Sequence, residues 1–460
     1  MTLRRMGRWE AIFFIVGVAL GFGVVLFGRD LVRSWLGVRI LDTYPHADET
    51  VSAKVRIELE FSQPMKRDTV EDRFHLDPPI DGQFAWEGGI LRFLPIRPLL
   101  PGVTYTVRLD PEAASLEGLR LRRAQSWRFT VRQPRIVYLS PANGERELWL
   151  LPSVSENGGA KQITDSGGRI RDYTVAPGGA RLVYAVVNEH GGSDLWLVDD
   201  DGSDALILVA CETDRCADPA WSPDGVLIAY VREREVGSFD ALPGPPHIWL
   251  VDVEQGNTWQ LYEDENVQGQ DPSWASVGLR LAFFDGIAGG IRTLDLKTEV
   301  EEVVPTQIGL VGDWSPDGRR MAFNVLYTSE GHPLVEVHVV DFDAKRVDLL
   351  LGEMSGWSDF GVPAWSPTGE WIAVSLRIAD GASGKQLWLV KPDGSEVHPI
   401  ADDPRYTYGG YRWDPWGQAI VFQRLSVGIP DAVPDVLLWH MDTGETHVFA
   451  KDAALPAWLP

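Results

Sequence analysis

The stretch DPAWSPDGVLIAYV, residues 218–231, places a Ser-Pro-Asp-Gly turn between a tryptophan and an alternating apolar run. Pro presets φ for the turn, Asp accepts hydrogen bonds from nearby backbone N–H groups, and Gly takes the position of positive φ. The stretch therefore predicts two antiparallel strands joined by a tight turn. A single copy would indicate one hairpin, whereas recurrence at a fixed period would indicate a repeat protein.

The motif recurs through the last two-thirds of the chain, in full copies and in weaker ones. The successive anchors are separated by 46, 53, 40, 51, 48 and 45 residues, and these spacings are typical of one four-stranded propeller blade each. We expect each anchor tryptophan to pack between neighbouring blades. The anchors are Val175, Trp221, Trp274, Trp314, Trp365, Trp413 and Trp458.

The two ends of this repeat region complement each other. Residues 135–164 supply strands two to four of a blade that lacks its first strand, and the final LPAWLP, residues 455–460, supplies a first strand that lacks the rest. Joined, they make a seventh blade and close the ring, which removes exposed sheet edges. A six-bladed ring is the alternative, if the copy at Val175 is not a full blade.

Composition indicates an all-β protein without affinity for nucleic acid. The 460 residues include 19 Trp, 46 Gly and 31 Pro, with many short apolar runs between turn residues. Lys and Arg number 42 against 66 Asp and Glu, a net charge of −24. Such a surface repels nucleic acid, and no basic groove is visible in the sequence.

The N-terminus carries a membrane signal. Residues 9–28, WEAIFFIVGVALGFGVVLFG, contain a single charge, Glu10, and about 20 apolar residues span a bilayer core. Arg4, Arg5 and Arg8 precede this run, so the positive-inside rule puts the first residues in the cytoplasm and the rest of the chain outside. We expect residues 1–35 to form a cytoplasmic tail and an uncleaved single-pass anchor in the cell membrane. A cleaved signal peptide, which would give a secreted protein, is the alternative.

Residues 36–133 form a separate β unit. The alternation in VRIELEF, ILRFLP, TYTVRL and WRFTV marks half-buried strands. The stretch resembles the bacterial Ig-like domains of surface-layer and cell-envelope proteins, which implies a β-sandwich used as a spacer or adhesive module. The residues that carry the resemblance are Phe61-Ser62-Gln63-Pro64-Met65, Leu91-Arg92-Phe93-Leu94-Pro95, Leu100-Pro101-Gly102-Val103-Thr104-Tyr105 and Trp127-Arg128-Phe129-Thr130.

Residues 134–460 resemble the TolB-like, WD-type β-propellers of bacterial envelope proteins, through the Pro-x-Trp-Ser-Pro-Asp-Gly signature of the repeats. The resemblance implies a propeller fold. Within that family TolB binds envelope partners in the periplasm, and similar propellers precede peptidase domains. No hydrolase domain follows the propeller in this sequence, so function has to be argued from the site.

The sequence predicts one disulfide and no cofactor. Cys211 and Cys216 stand in CETDRC, and such a pair in an oxidising compartment typically forms a small-loop disulfide. A reduced pair and a metal site are the alternatives, although a metal would need further ligands nearby. No Gly-x-Ser-x-Gly elbow, phosphate-binding loop or His-Glu-x-x-His motif occurs. We therefore predict no catalytic residue, metal or cofactor.

Three aspartates form the candidate site. Asp172, Asp218 and Asp271 each stand three residues before an anchor of successive blades. If the anchor-bearing strand is innermost, their carboxylates enter the same face of the central channel, where they would raise one another's pKa and bind a cation or a basic peptide. The alternative is that each carboxylate caps a loop or bonds its neighbour's backbone.

Two classes of function remain. The first is a membrane-anchored extracytoplasmic binding or scaffold protein, whose partner is an envelope protein, peptide or glycan. The second is a channel-centred hydrolase or lyase acting on glycan or peptide. The lack of a nucleophile–base pair with family spacing favours the first class, although the enzyme question stays open. Further contacts, including stacking, are expected from residues at the corresponding point of the Trp413 copy, namely Tyr408, Tyr411 and Arg412.

Overall fold

The computed structural model describes residues 37–151, 159–234, 244–329, 332–352, 357–378 and 383–460. The chain divides into two compact units, Met1–Arg132 and Gln133–Pro460. Among the described residues the only helix is α1, Arg67–Glu71, and the other regular elements are strands. The predicted all-β class is confirmed.

The first unit is a sandwich of two four-stranded sheets. Its strands are β1 Ile40–Tyr44, β2 Thr50–Val51, β3 Ile57–Phe61, β4 Phe74–Asp77, β5 Gly82–Glu87, β6 Ile90–Pro95, β7 Thr104–Leu109 and β8 Gln125–Val131. One sheet has the order β1-β3-β6-β5 and the other β2-β8-β7-β4. Alternate residues are buried, such as Leu59 and Phe93 in one sheet and Val107 and Phe129 in the other. These alternating buried side chains face each other between the two sheets and form the core.

The described strands of the second unit fall into seven groups, of which groups 1 and 2 share one eight-stranded sheet through a single parallel pair, Ser193 with Arg215. It begins with β9 Arg135–Ser140, β10 Glu147–Leu151 and β11 Lys161–Gln162. Group 1 is β12 Ile170–Val175, β13 Arg181–Val187, β14 Ser193–Asp199 and β15 Leu206–Val209; group 2 is β16 Arg215–Trp221, β17 Leu227–Glu233, β18 Pro246–Asp252 and β19 Thr258–Gln260; group 3 is β20 Gln270–Trp274, β21 Arg280–Asp285, β22 Gly290–Asp295 and β23 Glu301–Pro305.

The remaining strands follow the same plan. Group 4 is β24 Asp313–Trp314, β25 Arg320–Ser329, β26 His332–Asp341 and β27 Arg346–Leu351; group 5 is β28 Trp357–Ser358, β29 Ala364–Trp365, β30 Ile372–Ile378, β31 Gln386–Val390 and β32 Val397–Ala401; group 6 is β33 Tyr406–Trp413, β34 Ala419–Ser426, β35 Asp435–His440 and β36 Thr446–Ala450. The last strand, β37 Ala454–Leu459, joins β9, β10 and β11 to make group 7.

The Ser-Pro-Asp-Gly turns have the geometry that their residues dictate. In group 2, Gly225 has φ +74° and its N–H donates to the carbonyl of Ser222 at 2.9 Å. The Asp224 carboxylate accepts from the Ser222 hydroxyl at 2.6 Å and from the Val226 N–H at 3.1 Å. The turn thus satisfies its own polar groups and aligns β16 with β17.

The chain's last strand lies in one sheet with the strand that begins the unit. β37 pairs antiparallel with β9, with Trp458 opposite Ile136. Leu139 of group 7 shares an apolar layer with Leu182 of group 1, and Ile136 shares another with Val421 of group 6. Group 7 is therefore in contact with both group 1 and group 6.

No helix among the described residues has the length and apolar character needed to cross a membrane. The predicted anchor, residues 9–28, lies outside the described residues.

Candidate functional site

The strand that carries the anchor in each group is called its first strand; these are β12, β16, β20, β24, β29, β33 and β37. Two of the predicted aspartates link neighbouring groups at these strands. Asp172 Oδ2 accepts the N–H of Asp218 at 3.0 Å, and Asp271 Oδ2 accepts the N–H of Val311 at 2.7 Å. Each carboxylate therefore bonds a neighbour's backbone, the alternative role expected from the sequence.

A fourth aspartate, absent from the sequence prediction, belongs to the same set. Asp313 precedes Trp314 directly, and its Oδ2 accepts the N–H of Trp365 in the next group at 2.6 Å. Its Oδ1 accepts the N–H of Trp314 at 3.0 Å. Asp313 stands one residue before its anchor, whereas the other aspartates stand three before theirs, so a search at fixed spacing misses it. The signal that could have found it is the Asp-Trp pair itself.

The anchor tryptophans also link the groups, by a hydrogen bond that follows a rule. Where the bond forms, the indole N–H donates to the carbonyl of the residue directly before the preceding anchor. Two anchors depart from this rule. The indole nitrogen of Trp221 is buried with no partner among the described residues, and the indole N–H of Trp365 donates to the carbonyl of Gly369 in its own group at 3.4 Å. The bonds run from Trp274 to Ala220 at 3.0 Å, from Trp314 to Ser273 at 3.4 Å, from Trp413 to Ala364 at 3.1 Å and from Trp458 to Arg412 at 3.2 Å.

Group 7 is linked to group 1 by a tyrosine. The Tyr173 hydroxyl hydrogen-bonds the carbonyl of Leu455 in β37 and that of Val137 in β9, the latter at 3.0 Å. With this bond every pair of consecutive first strands is linked, and the seven links form a cycle. In order they join residues 172 and 218, 220 and 274, 273 and 314, 313 and 365, 364 and 413, 412 and 458, and 455 and 173.

Burial shifts the acidity of these aspartates. Burial raises the pKa of Asp172 to about 7, and the nearby negative charge of Asp218 adds to the rise. The hydrogen bond from the Asp218 N–H lowers the pKa of Asp172 but does not outweigh burial. Burial likewise raises the pKa of Asp271 and of Asp313 to about 6, while the hydrogen bonds from backbone N–H groups and the positive charge of Arg412 lower them. Asp172 Oδ1 is buried and has no hydrogen-bond partner among the described residues.

The two tyrosines predicted to stack on a ligand occupy the core instead. Tyr408 and Tyr411 are only 6% and 4% exposed, and both pack in the apolar layer between groups 5 and 6. The Tyr411 hydroxyl donates to the carbonyl of Val362 and accepts the N–H of Ser375 at 3.0 Å. The stacking prediction is therefore corrected, because little surface of either ring is accessible. Arg412, in contrast, is exposed, and its charge acts on Asp271 and Asp313 as described above.

The two cysteines are joined by a disulfide in the structure. Both are buried, and the Cys211 N–H donates to Asp194 Oδ1 at 2.8 Å. Cys216 lies in β16, two residues before Asp218. The bond therefore ties the start of this first strand to the loop that precedes it. In the described part of the chain, no group of three or more His, Cys, Asp or Glu is placed to hold a metal ion.

Comparison with known proteins agrees with this architecture. The bacterial Ig-like domain family matches residues 37–131. The uncharacterized protein Atu1656 of Agrobacterium fabrum is 25% identical over 211 residues, which cover 44% of this chain and 68% of that protein. The recognition of an Ig-like domain followed by a TolB-like propeller is confirmed.

Solved structures share the fold at low sequence identity. TolB from Acinetobacter baumannii is 18% identical, with a TM-score of 0.41 and coverage of 72% of this chain and 83% of TolB. A prolyl endopeptidase is 14% identical, with a TM-score of 0.50 and coverage of 69% of this chain and 48% of the peptidase. The matched part thus spans about half of that enzyme's length, and the likeness concerns fold alone.

Proposed function

We propose that this chain is a membrane-anchored, extracytoplasmic binding or scaffold protein whose propeller presents an acidic central channel to an envelope partner. The observation that carries the proposal is the row of carboxylates on adjacent first strands, at Asp172, Asp218 and Asp271. Asp172 keeps one buried oxygen without a hydrogen-bond donor, and a buried acceptor in that state is costly unless a ligand donates to it.

Seven blades closed into a ring are part of this proposal. The cycle of hydrogen bonds between first strands supports closure, and the four strands of group 1 support counting the Val175 copy as a full blade. In such a ring the first strands surround the channel. The three aspartates then lie on consecutive strands around it, on one side.

A cationic group is the ligand chemistry that this arrangement favours. Carboxylates in a partly desolvated site attract a positive charge more strongly than carboxylates in bulk water. Arg412 offsets part of the negative charge, since it lowers the pKa of Asp271 and of Asp313. Asp172 lies near another arginine, Arg215, whose charge lowers the pKa of Asp172. We place the cation at the Asp172–Asp218 pair because Oδ1 of Asp172 is buried without a hydrogen-bond donor among the described residues.

The proposed location rests on the N-terminal residues and on the disulfide. In this proposal residues 9–28 supply the membrane anchor, and the Ig-like unit follows it in the chain before the propeller. A Cys211–Cys216 bond is in keeping with an oxidising compartment. The partner is an envelope protein or peptide, with glycan as the less favoured choice. An enzyme acting on glycan or peptide is the alternative function, supported only by likeness of fold.

Capture from envelope extracts tests the proposal. The full chain serves as bait, and the double variant Asp218→Asn/Asp271→Asn serves as the matched control. We expect the native chain to retain partner proteins that the variant does not retain. Moderate salt should elute these partners, because salt screens exposed charge pairs. Identical proteins on both baits, eluting independently of salt, would contradict an acidic binding site.

A further inference from the structure

Leu455 occupies the same local position as two of the channel aspartates. Asp218, Asp271 and Leu455 have φ values of +51°, +51° and +49°, and each is followed by a proline. Each lies at a break in register with the second strand, between residues 217 and 220, 270 and 273, and 454 and 457. Because the backbone conformations match, the three side chains leave their strands in the same direction.

The channel would therefore have an aliphatic side as well as an acidic one. Leu455 is 43% exposed, and Val362, which also stands three residues before an anchor and directly before a proline, is 38% exposed. The bond from Tyr173 to the Leu455 carbonyl places this leucine beside the first strand that carries Asp172. Exposed aliphatic carbon thus lies next to the acidic pair.

The backbone of Leu455 adds a separate argument. A leucine at positive φ is strained, whereas Asn or Gly adopts this conformation with little cost. Strain held at an exposed site favours a functional role for the side chain over a structural one. Leu455 is 43% exposed, so its side chain is not part of the buried core.

We propose that the ligand group is a basic side chain of a peptide, with its cation on Asp172 and Asp218 and its aliphatic stem against Leu455. This inference rests on the proposed binding function and specifies its ligand. An ammonium group supplies the hydrogen-bond donor that Asp172 Oδ1 lacks. Each methylene removed from water adds about fourfold to the affinity, so the stem distinguishes a lysine side chain from a small or polar amine.

The test compares three amine probes on the full chain by isothermal titration at pH 8. The probes are Nα-acetyl-lysine amide, methylammonium, which has no stem, and ethanolammonium, whose short stem ends in a hydroxyl; all three are mainly cationic at pH 8. We expect the lysine amide to bind at least about tenfold more tightly than the other two, given the gain per methylene. Asp218→Asn should weaken all binding, and Asp431→Asn should change nothing, because Asp431 is an exposed aspartate at positive φ in the β34–β35 loop.

Leu455→Asn separates the two proposals. Asparagine suits φ +49°, so we expect unchanged or higher thermal stability together with a several-fold loss of lysine-amide affinity and no loss for methylammonium. Val362→Thr is the matched control, because the cycle of links separates group 5 from Asp172 by groups 6 and 7, and it should leave the affinity unchanged. Equal affinity for all three probes, or full lysine-amide affinity in Leu455→Asn, would overturn the aliphatic contact and leave cation binding intact. No binding of any amine to the native chain would overturn both proposals.

Discussion

The indole N–H of Trp458, two residues from the C-terminus, donates to the backbone carbonyl of Arg412 at 3.2 Å. The same residue pairs with Ile136 in β9 on the other side. The last strand is therefore held by two partners that lie more than 270 residues apart in sequence. This strand therefore links group 6 to group 7 and completes the cycle of first strands.

Replacement of Trp458 tests closure. Trp458→Ala should lower the free energy of unfolding by about 3–5 kcal/mol, since a buried tryptophan leaves a cavity. Trp458→Phe keeps most of the apolar contact and should cost less, with about 1 kcal/mol of the loss coming from the hydrogen bond. The control is Trp259→Ala in the outer strand β19, where the side chain is 41% exposed. Urea unfolding measures all three, and equal losses for Trp458→Ala and Trp259→Ala would argue against closure.

The disulfide should contribute modestly to stability. Cys211 and Cys216 are five residues apart, and a loop this short gives at most about 2–3 kcal/mol. We expect the double variant Cys211→Ala/Cys216→Ala to fold and to lose no more than that in urea unfolding. Intact-mass alkylation without reductant should add no label to protein from its native compartment. Two labelled thiols would show that the pair is reduced there.

The repeat plan could be predicted from the sequence because turn residues and anchor spacing are local signals. Each of the seven anchors lies in a strand, and residues 455–459 of the final LPAWLP fall in β37. The links between groups could not be predicted in the same way. Their acceptors are mostly backbone carbonyls, such as those of Ala220 and Arg412, which every residue type possesses.

Some site residues were predicted wrongly or missed, because the direction of a side chain depends on the local register of its strand. Sequence position put Tyr411 near the channel, but the direction of its side chain depends on the bulges in β33, where the register breaks between residues 409 and 412. A one-residue change of register moves a side chain to the other face of a strand. Asp313 was missed because group 4 places its carboxylate two positions later than groups 1 to 3 do.

Tyr411 should therefore matter for stability. Its hydroxyl joins Val362 to Ser375, so Tyr411→Phe leaves the buried N–H of Ser375 and the partly buried carbonyl of Val362 without that partner. We expect a loss of about 1–3 kcal/mol in the free energy of unfolding. Tyr406→Phe, on the same strand but half-buried, is the control and should change little. A loss confined to the control would show that the Tyr411 hydroxyl is not a structural link.

The stability should depend on pH through Asp172. Its pKa in the folded protein is about 7, against about 3.9 in an unfolded chain. Because the folded pKa is the higher one, the carboxyl contributes stability that is fully present below pH ~4 and is lost as pH rises through about 7. Asp172→Asn removes this dependence, and its amide oxygen can still accept the Asp218 N–H. The variant should therefore gain stability relative to the native chain between pH 5 and pH 8.

The expected gain is on the order of 1–3 kcal/mol, below the roughly 4 kcal/mol that a three-unit shift implies, because solvent in the channel screens the charge. Urea unfolding of both proteins at pH 5, 6, 7 and 8 measures the difference, with Asp431→Asn as the exposed control. Binding of a cation should show the opposite trend, since it needs the ionised carboxylate, and should weaken as pH falls from 8 to 6. A stability difference that stays constant across this range would show that Asp172 does not titrate near neutral pH, and the argument for a proton-sensitive channel would then fail.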